Sequence, residues 1–315
     1  MTEAVYHRPT TMAEAVRLAS LAGGDTLFVG GGTDLQTYRK QQLEQRGHHI
    51  DLSGIRELQE IAVIHDQLVM GAMCTLDQLI RSQVVRAWAP LLVEAASQVA
   101  SPTIRHTATV AGNLLVSNRC TFYNQSPSWR ESAESCLRGT GPTCLATGGK
   151  DKCFARNVSD MAPALIVLKG RIDLMDQRGE SEMPISDLYV ADGLRAQGGL
   201  PAGALITTLR VSHRPVRWYY RKLRHRDSND FTSLTVAGAL LDDGTTHACL
   251  TGASAAPVLL SIEPGSTALA DVQSQARQAC KAVDNDLVPL KYRRRMIDIY
   301  LEELWQAITC GPTSP

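Results

Sequence analysis

The sequence predicts an α+β protein made of a larger first unit and a smaller second one. Short apolar runs rich in β-branched residues alternate with helix-start signals through the first unit. In the second, the turn Asp242, Asp243, Gly244 joins two strand-like runs as a hairpin. Residues 212–215, ending in Pro215, read as the linker between them. At 315 residues the chain is long enough for more than one domain and a sizeable core.

In chain order, Thr11 with Glu14 is a capping box that starts a helix carrying Ala15, Val16, Leu18 and Ala19. The apolar strand 26–29 then runs into Gly30, Gly31, Gly32, Thr33, Asp34 and Leu35. Consecutive glycines open backbone conformations closed to other residues, and a nest of amides suits a phosphate; an ordinary strand-to-helix turn is the plain alternative. The Gly-x-Gly-x-x-Gly dinucleotide fingerprint is absent. Residues 50–52 read as a strand, and 61–64 with 68–70 as a hairpin whose polar turn holds an exposed His65. Thr75 with Gln78 repeats the capping box, and Pro90 opens a helix with Leu91, Leu92, Ala95, Ala96 and Val99 on it.

Small residues at Thr109, Ala111 and Gly112 let a backbone or a ligand come close, and Asn113 offers both donor and acceptor. Residues 164–168 continue as helix or strand into 171–175 and a turn at 176–179. A strand at 204–211 closes the first unit. In the second unit 234–241 pairs with 248–252, and a helix through Tyr292, Met296, Ile297, Ile299, Tyr300 and Leu304 has apolar spacing near 3.6. The run Arg293, Arg294, Arg295 spreads over several helix faces and reads as solvated surface.

The stretch from Cys120 to Cys153 holds four of the eight cysteines, with fifteen, seven and eight residues between Cys120, Cys136, Cys144 and Cys153. Gly139, Gly141, Pro142, Gly148 and Gly149 exclude a long helix or a central strand, so 116–157 reads as an inserted loop whose thiols can converge on one point. The N-terminus shows no basic region followed by an apolar core, so secretion and disulfides are not indicated. Structural zinc and the common ferredoxin pattern both use closer cysteine pairs, so spacing alone does not choose between zinc and an iron–sulfur centre. Inert core thiols are the plain alternative, and Cys74, Cys249, Cys280 and Cys310 read that way. A formal charge of zero gives no basis for nucleic-acid binding, and no apolar run reaches the ~18 residues of a membrane span, so a cytoplasmic soluble protein is expected.

Taken together, the triplet with Thr33-Asp34-Leu35, the stretch Thr-Val-Ala-Gly-Asn ending at Asn113, and Ser159-Asp160-Met161-Ala162-Pro163-Ala164-Leu165 resemble the FAD-binding (medium, β) subunit of the xanthine oxidase family of molybdenum enzymes. The resemblance runs along the whole chain. The cysteine loop, opening Arg119-Cys120-Thr121-Phe122-Tyr123-Asn124-Gln125, is similar to that of the β subunit of 4-hydroxybenzoyl-CoA reductase. The implied fold is a two-subdomain FAD-binding fold of the vanillyl-alcohol oxidase/p-cresol methylhydroxylase type over 1–212. A small C-terminal antiparallel sheet with helices would follow over 213–315, with 218–224 as its first strand.

FAD is then expected on Val29, Gly30, Gly31, Gly32, Thr33, Asp34, Leu35, Thr103, Thr109, Gly112, Asn113, Asp160 and Lys222, and a 4Fe-4S cluster on Cys120, Cys136, Cys144 and Cys153. No residue of this chain is expected to be catalytic. The nest's own amides would cradle the pyrophosphate with no lysine or arginine needed, and the cysteine loop would stand apart from it. Implied partners are a molybdopterin-binding large subunit and a 2Fe-2S small subunit in a heterohexamer-like complex, and a ferredoxin-like electron partner. Such a complex would reduce 4-hydroxybenzoyl-CoA to benzoyl-CoA in aromatic degradation. The alternatives are a molybdenum hydroxylase or aldehyde- or xanthine-type dehydrogenase acting on another substrate and, from a different class, a zinc-stapled binding module without FAD.

Overall fold

A computed structural model describes residues 4–263 and 267–309, which build three sheets. Cys310 and residues 1–3 of the N-terminal stretch lie outside the described residues. The strands β1 (Val5–His7), β2 (Thr26–Val29) and β3 (His48–Asp51) form a parallel sheet in the order β1-β3-β2. Helix α1 (Met12–Ala22) lies between β1 and β2 in sequence, and its buried Ala15, Val16 and Ala19 share a core with Ile50 and Leu52. Thr11 caps α1 by accepting from the Glu14 N–H at 3.2 Å. The Glu14 carboxylate, however, accepts from the Thr10 N–H, one residue earlier than a reciprocal capping box requires.

After β2 the glycine triplet leads into α2 (Leu35–Lys40). The second sheet is antiparallel, with five strands in the order β4-β5-β8-β6-β7: β4 (Ile61–Ile64), β5 (Gln67–Gly71), β6 (Arg171–Asp176), β7 (Gly179–Pro184) and β8 (Leu205–Val211). His65 and Asp66 turn the first hairpin with φ of 49° and 57°, the left-handed pair that a type I′ turn needs. The strand that closes the first unit in sequence, β8, takes the central place in this sheet.

Between β5 and β6 the chain forms α3 (Leu76–Arg81), α4 (Gln83–Trp88), α5 (Pro90–Ser97), α6 (Pro102–Arg105), α7 (Val110–Leu114), α8 (Pro127–Ser132) and α9 (Met161–Val167). Thr75 and Gln78 make the complete capping box of α3. All seven residues of α9 are buried, as expected of a helix that is apolar on every side. Its first turn is held by Asn113, whose side-chain oxygen accepts from the Met161 N–H at 3.0 Å and the Ser159 hydroxyl at 2.9 Å. That settles the segment as helix rather than strand.

The third sheet, antiparallel in the order β12-β11-β10-β9, comprises β9 (Pro215–Leu223), β10 (Leu234–Leu241), β11 (Thr246–Thr251) and β12 (Val258–Ile262). It is buried on both faces. Tyr220, Ala237, Ala239 and Cys249 join the core that contains α9, while Val236, Ala248, Leu250 and Leu260 pack with α10 (Leu269–Ala279) and α11 (Leu290–Thr309). The linker expected at 212–215 is residues 212–214, since Pro215 already belongs to β9, and it separates the sheets without separating the cores.

Arg293 departs from the expected solvated surface. It is fully buried, because its spacing from Ile297, Leu301, Leu304 and Ile308 puts it on the inward stripe of α11. Its guanidinium donates to the carbonyls of Val283, Val288 and Gly252, whereas Arg294 and Arg295 are exposed as expected. The scattered Cys74, Cys249 and Cys280 are buried free thiols. Among the described residues no helix is long and apolar enough to cross a membrane.

Gly238 on β10 faces α11, where a Cβ would lie 2.8 Å from Leu304 Cγ and 3.2 Å from the His247 carbonyl oxygen. Gly238→Val is expected to lower stability by about 1–3 kcal/mol through overpacking. In thermal unfolding Gly24→Ala, whose Cβ meets nothing within 4 Å, should be close to neutral by comparison.

Candidate functional site

The glycine nest is built by two loops pressed together. A Cβ on Gly31 would overlap the Thr107 carbonyl oxygen and stand 3.1 Å from Ala108 Cα, and a Cβ on Gly30 would lie 2.8 Å from Thr109 Oγ1. Gly32 has φ +65°, in the left-handed region that favours glycine. Each glycine of the triplet thus has its own reason to be one. For Gly31 the reason is a protein backbone, where the sequence points to close approach of the cofactor. Among the described residues, the backbone N–H groups of 30–34 donate to no other protein group. This leaves a row of amides open to an anion, the feature a diphosphate requires.

The second loop is fixed from behind. Val110 N–H donates to the Cys74 carbonyl at 2.9 Å, and Leu76 N–H to that of Ala108 at 2.9 Å. The buried Thr109 caps α7 by accepting from the Gly112 N–H at 3.1 Å. Asn113 commits its acceptor oxygen to the start of α9, as described above. Thr103 is exposed on α6, while Val29 is buried at the end of β2.

Asp160 and Lys222, each expected at the flavin, meet one another. Lys222 Nζ lies 2.7 Å from Asp160 Oδ2 and 2.9 Å from the Gln98 carbonyl oxygen, with side chains only 1% and 4% exposed. Tyr220 donates to the Asp160 main-chain carbonyl at 3.1 Å. Burial raises the Asp160 carboxyl above its ordinary value, and the neighbouring ammonium opposes that rise. The pair joins the start of α9 to β9 of the third sheet.

The cysteine loop leaves and re-enters the fold through a narrow neck. Arg119 and Arg156 exchange backbone hydrogen bonds of 2.9 Å in both directions, one residue before Cys120 and three after Cys153. Within the loop the carbonyl of Cys120 accepts from the Tyr123 and Asn124 N–H groups, that of Cys136 from Gly139 and Gly141, and that of Cys144 from Thr147 and Gly148. Each of these cysteines therefore opens a tight turn. Gly141 permits one of them, since a Cβ there would overlap the Ser135 carbonyl oxygen.

The result is one cavity lined by all four cysteines and walled by Phe122, Tyr123, Leu137, Arg138, Leu145 and Phe154. Burial pushes the Cys153 thiol up to about 11 and raises Cys120 as well, so a bound cation is what would make thiolates of them. Arg138 supplies a positive charge at the rim, stacked 4.4 Å from the Tyr123 ring centroid and donating to the Asn118 carbonyl at 2.6 Å.

Thiol spacing bears on the metal. A tetrahedral zinc with bonds of about 2.3 Å would draw its sulfurs to about 3.8 Å from one another. Among the described residues, the group of three or more potential ligands within 4.8 Å of one another is His213, Asp242 and Asp243, not the cysteines. There the Lys169 ammonium already sits 2.7 Å from Asp243. The four thiols face one cavity, but among the described residues no three of them come within 4.8 Å of one another, so they do not form a closed zinc shell as they stand.

The loop does not stand apart from the nest. Arg119 donates to Asp34, Asn124 Nδ2 lies 3.2 Å from the Tyr38 hydroxyl, and Arg130 donates to the Gln41 carbonyl at 2.9 Å. On the other side, Asn118 donates to the Ala255 carbonyl and Asn285 to that of Phe154. Arg156 pairs with the buried Asp286 at 2.9 Å. An arginine therefore reaches the edge of the nest, where it pairs with Asp34. It arrives from 85 residues away, a separation no local spacing discloses.

The family described as FAD binding domain in molybdopterin dehydrogenase matches residues 2–213. The chain is 30% identical over 263 residues to the aldehyde oxidoreductase FAD-binding subunit of Escherichia coli, covering 80% of this chain and 82% of that one. It is 38% identical over 109 residues to the carbon monoxide dehydrogenase medium chain of Hydrogenophaga pseudoflava, covering 35% of this chain and 38% of that one. A solved structure of carbon monoxide dehydrogenase from Hydrogenophaga pseudoflava, lacking the Mo-pyranopterin moiety of its cofactor, superposes with a TM-score of 0.75 at 20% identity over 98% of both chains. That likeness carries the fold.

Two measurements probe this arrangement. Gly31→Val is expected to lose flavin and also to melt earlier than the parent when both are flavin-free; an unchanged flavin-free melting temperature would return the glycine requirement to the cofactor. Lys222→Met strands a buried carboxylate and is expected to cost about 3–5 kcal/mol in denaturant unfolding, with much of the loss recovered in Asp160→Asn/Lys222→Met.

Proposed function

The chain belongs to the family of FAD-binding domains of molybdopterin dehydrogenases, and from that premise we propose that it is the electron-relay subunit of a heteromeric molybdenum oxidoreductase, with FAD at the glycine nest and a 4Fe-4S cluster in the cysteine cavity. The observation that carries this reading is the convergence of four thiols on one cavity whose neck is tied directly to the nest. When bound, the flavin takes one or two electrons and the cluster one at a time, so the pair supplies conversion between the two kinds of traffic.

The chain's own residues bind and orient. The amides of 30–34 would receive the diphosphate, the contact of Gly31 with Thr107 holds the second loop against them, and Asp160 with Lys222 fixes α9 behind that loop. The apolar walls of the cysteine cavity exclude water from the ligands, and Arg138 offsets their negative charge. Reaction with an organic substrate is assigned to partner subunits: a molybdopterin-binding large subunit and a 2Fe-2S small subunit, with a ferredoxin-like protein exchanging single electrons. The term medium chain in the name of the carbon monoxide dehydrogenase relative supports membership of such a complex. We also read 1–212 as a flavin domain of the vanillyl-alcohol oxidase type and 213–315 as the C-terminal domain of the subunit, in a cytoplasm that keeps the thiols reduced.

The loop resemblance points to 4-hydroxybenzoyl-CoA as substrate, whereas the relative matched over 80% of the chain is named for aldehyde oxidation. That extent favours an aldehyde. Purified complex is expected to be yellow-brown, with one FAD and about four irons for this chain beyond those of its partners. It should oxidise aldehydes faster than it reduces 4-hydroxybenzoyl-CoA, and the opposite ranking would restore the reductase assignment. Cys136→Ser should lose the iron of this chain, and a colourless parent protein holding zinc would overturn the relay.

A further inference from the structure

We propose that the ion pair between Arg119 and Asp34 couples the two cofactor sites, so that metal loading of the cysteine loop tightens FAD binding at the glycine nest. The inference rests on the function proposed above. By its backbone Arg119 belongs to the loop, next to Cys120 and bridged in both directions to Arg156 at 2.9 Å. By its side chain it belongs to the nest. The guanidinium lies 4.7 Å from the Tyr38 ring centroid and 4.1 Å from that of Phe231, and it donates to Asp34. Only 10% of that side chain is exposed, and its Nε has no partner, so the cation is withdrawn from water with a donor to spare.

Asp34 is the weak point of an anion site. Its carboxylate, 32% exposed, stands at the end of the row of amides offered to a diphosphate and opposes any anion brought there. The guanidinium cancels that charge. It does so only while the loop holds Arg119 in place, and the loop has little regular structure of its own beyond the six residues of α8. Its turns at Cys120, Cys136 and Cys144 face one cavity, and a metal centre there ties them into one body. The Cys120 N–H donates to Asn124 at 3.0 Å, and Asn124 reaches Tyr38, so order at the first ligand reaches one of the rings that sandwich the guanidinium. Loss of metal releases Arg119 toward water and leaves Asp34 unpaired beside the diphosphate. Linkage makes the effect reciprocal: bound FAD also strengthens metal retention.

The test is the FAD dissociation constant of the full chain in its complex, read by flavin fluorescence with this chain's iron present and after its removal by chelator. Depletion is expected to weaken FAD binding by about 5- to 100-fold in the parent, within the usual span of coupling between sites. In Asp34→Asn the neutral amide neither repels the diphosphate nor needs the arginine, so the two constants should agree to within about twofold. Arg119→Gln should keep its iron and bind FAD as weakly loaded as depleted.

A parent constant unmoved by depletion overturns the proposal, and so does a dependence that survives in Asp34→Asn. Should Arg119→Gln lose iron, the Asp34→Asn comparison decides alone, because that residue lies outside the loop. A parent complex whose copy of this chain carries no FAD or no iron would strike the proposed function itself, a result distinct from absence of coupling.

Discussion

The close passage of the backbone at Gly31 against Thr107 and Ala108 is the contact on which the glycine nest depends. A row of amides can serve a phosphate only if it is left unpaired, and unpaired backbone donors are costly wherever they are buried without a partner. The protein meets both demands by bracing the nest sterically. The second loop presses on the triplet from the side, and its own hydrogen bonds run backward to Ala72 and Cys74. The donors of the nest stay free because its shape is held by packing. A side chain on Gly31 would thus remove the brace before any ligand arrived.

Buried charge pairs do comparable work between the units. Asp160 with Lys222 joins α9 to the third sheet, and Arg156 with Asp286 joins the neck of the cysteine loop to the segment before α11. A buried pair gives little net stability over apolar packing, but breaking one leaves a charge stranded at a cost of several kcal/mol. Such pairs favour one arrangement of the parts. Arg293 extends the same logic, donating to the carbonyls of Gly252 after β11 and of Val283 and Val288 before α11, and so tying those segments together.

Much of this fold was legible because its signals are local. The turn at His65 and Asp66, the cap at Thr75 and the hairpin around Gly244 each place their decisive residues within a few positions, and all three stand where the sequence puts them. The glycine triplet and the cysteine loop were legible as unusual composition, and a looped excursion is what forms. What could not be read is contact across distance. Arg119 with Asp34, Asp160 with Lys222 and Phe231 over Arg119 are separated by 85, 62 and more than 100 residues, and no periodicity marks them. Arg293 departs from its expected exposure for a narrower reason: its place on the apolar stripe of α11 outweighs its charge.

The wide cysteine spacing has a physical counterpart in the way the loop is built. A zinc knuckle places pairs of thiolates a few residues apart because one small ion must be reached from a single turn. Here Cys120, Cys136 and Cys144 each begin a separate turn, and Cys153 lies on the irregular returning segment beside the neck, where Asp192 accepts from its N–H at 3.1 Å and a Cβ on Gly193 would come 2.8 Å from its sulfur. The four thiols thus reach one cavity from four pieces of chain, each with its own backbone support. Arg119 closes that neck with Arg156 and also pairs with Asp34, so the base of the loop is fixed to the glycine nest by hydrogen bonds of its own.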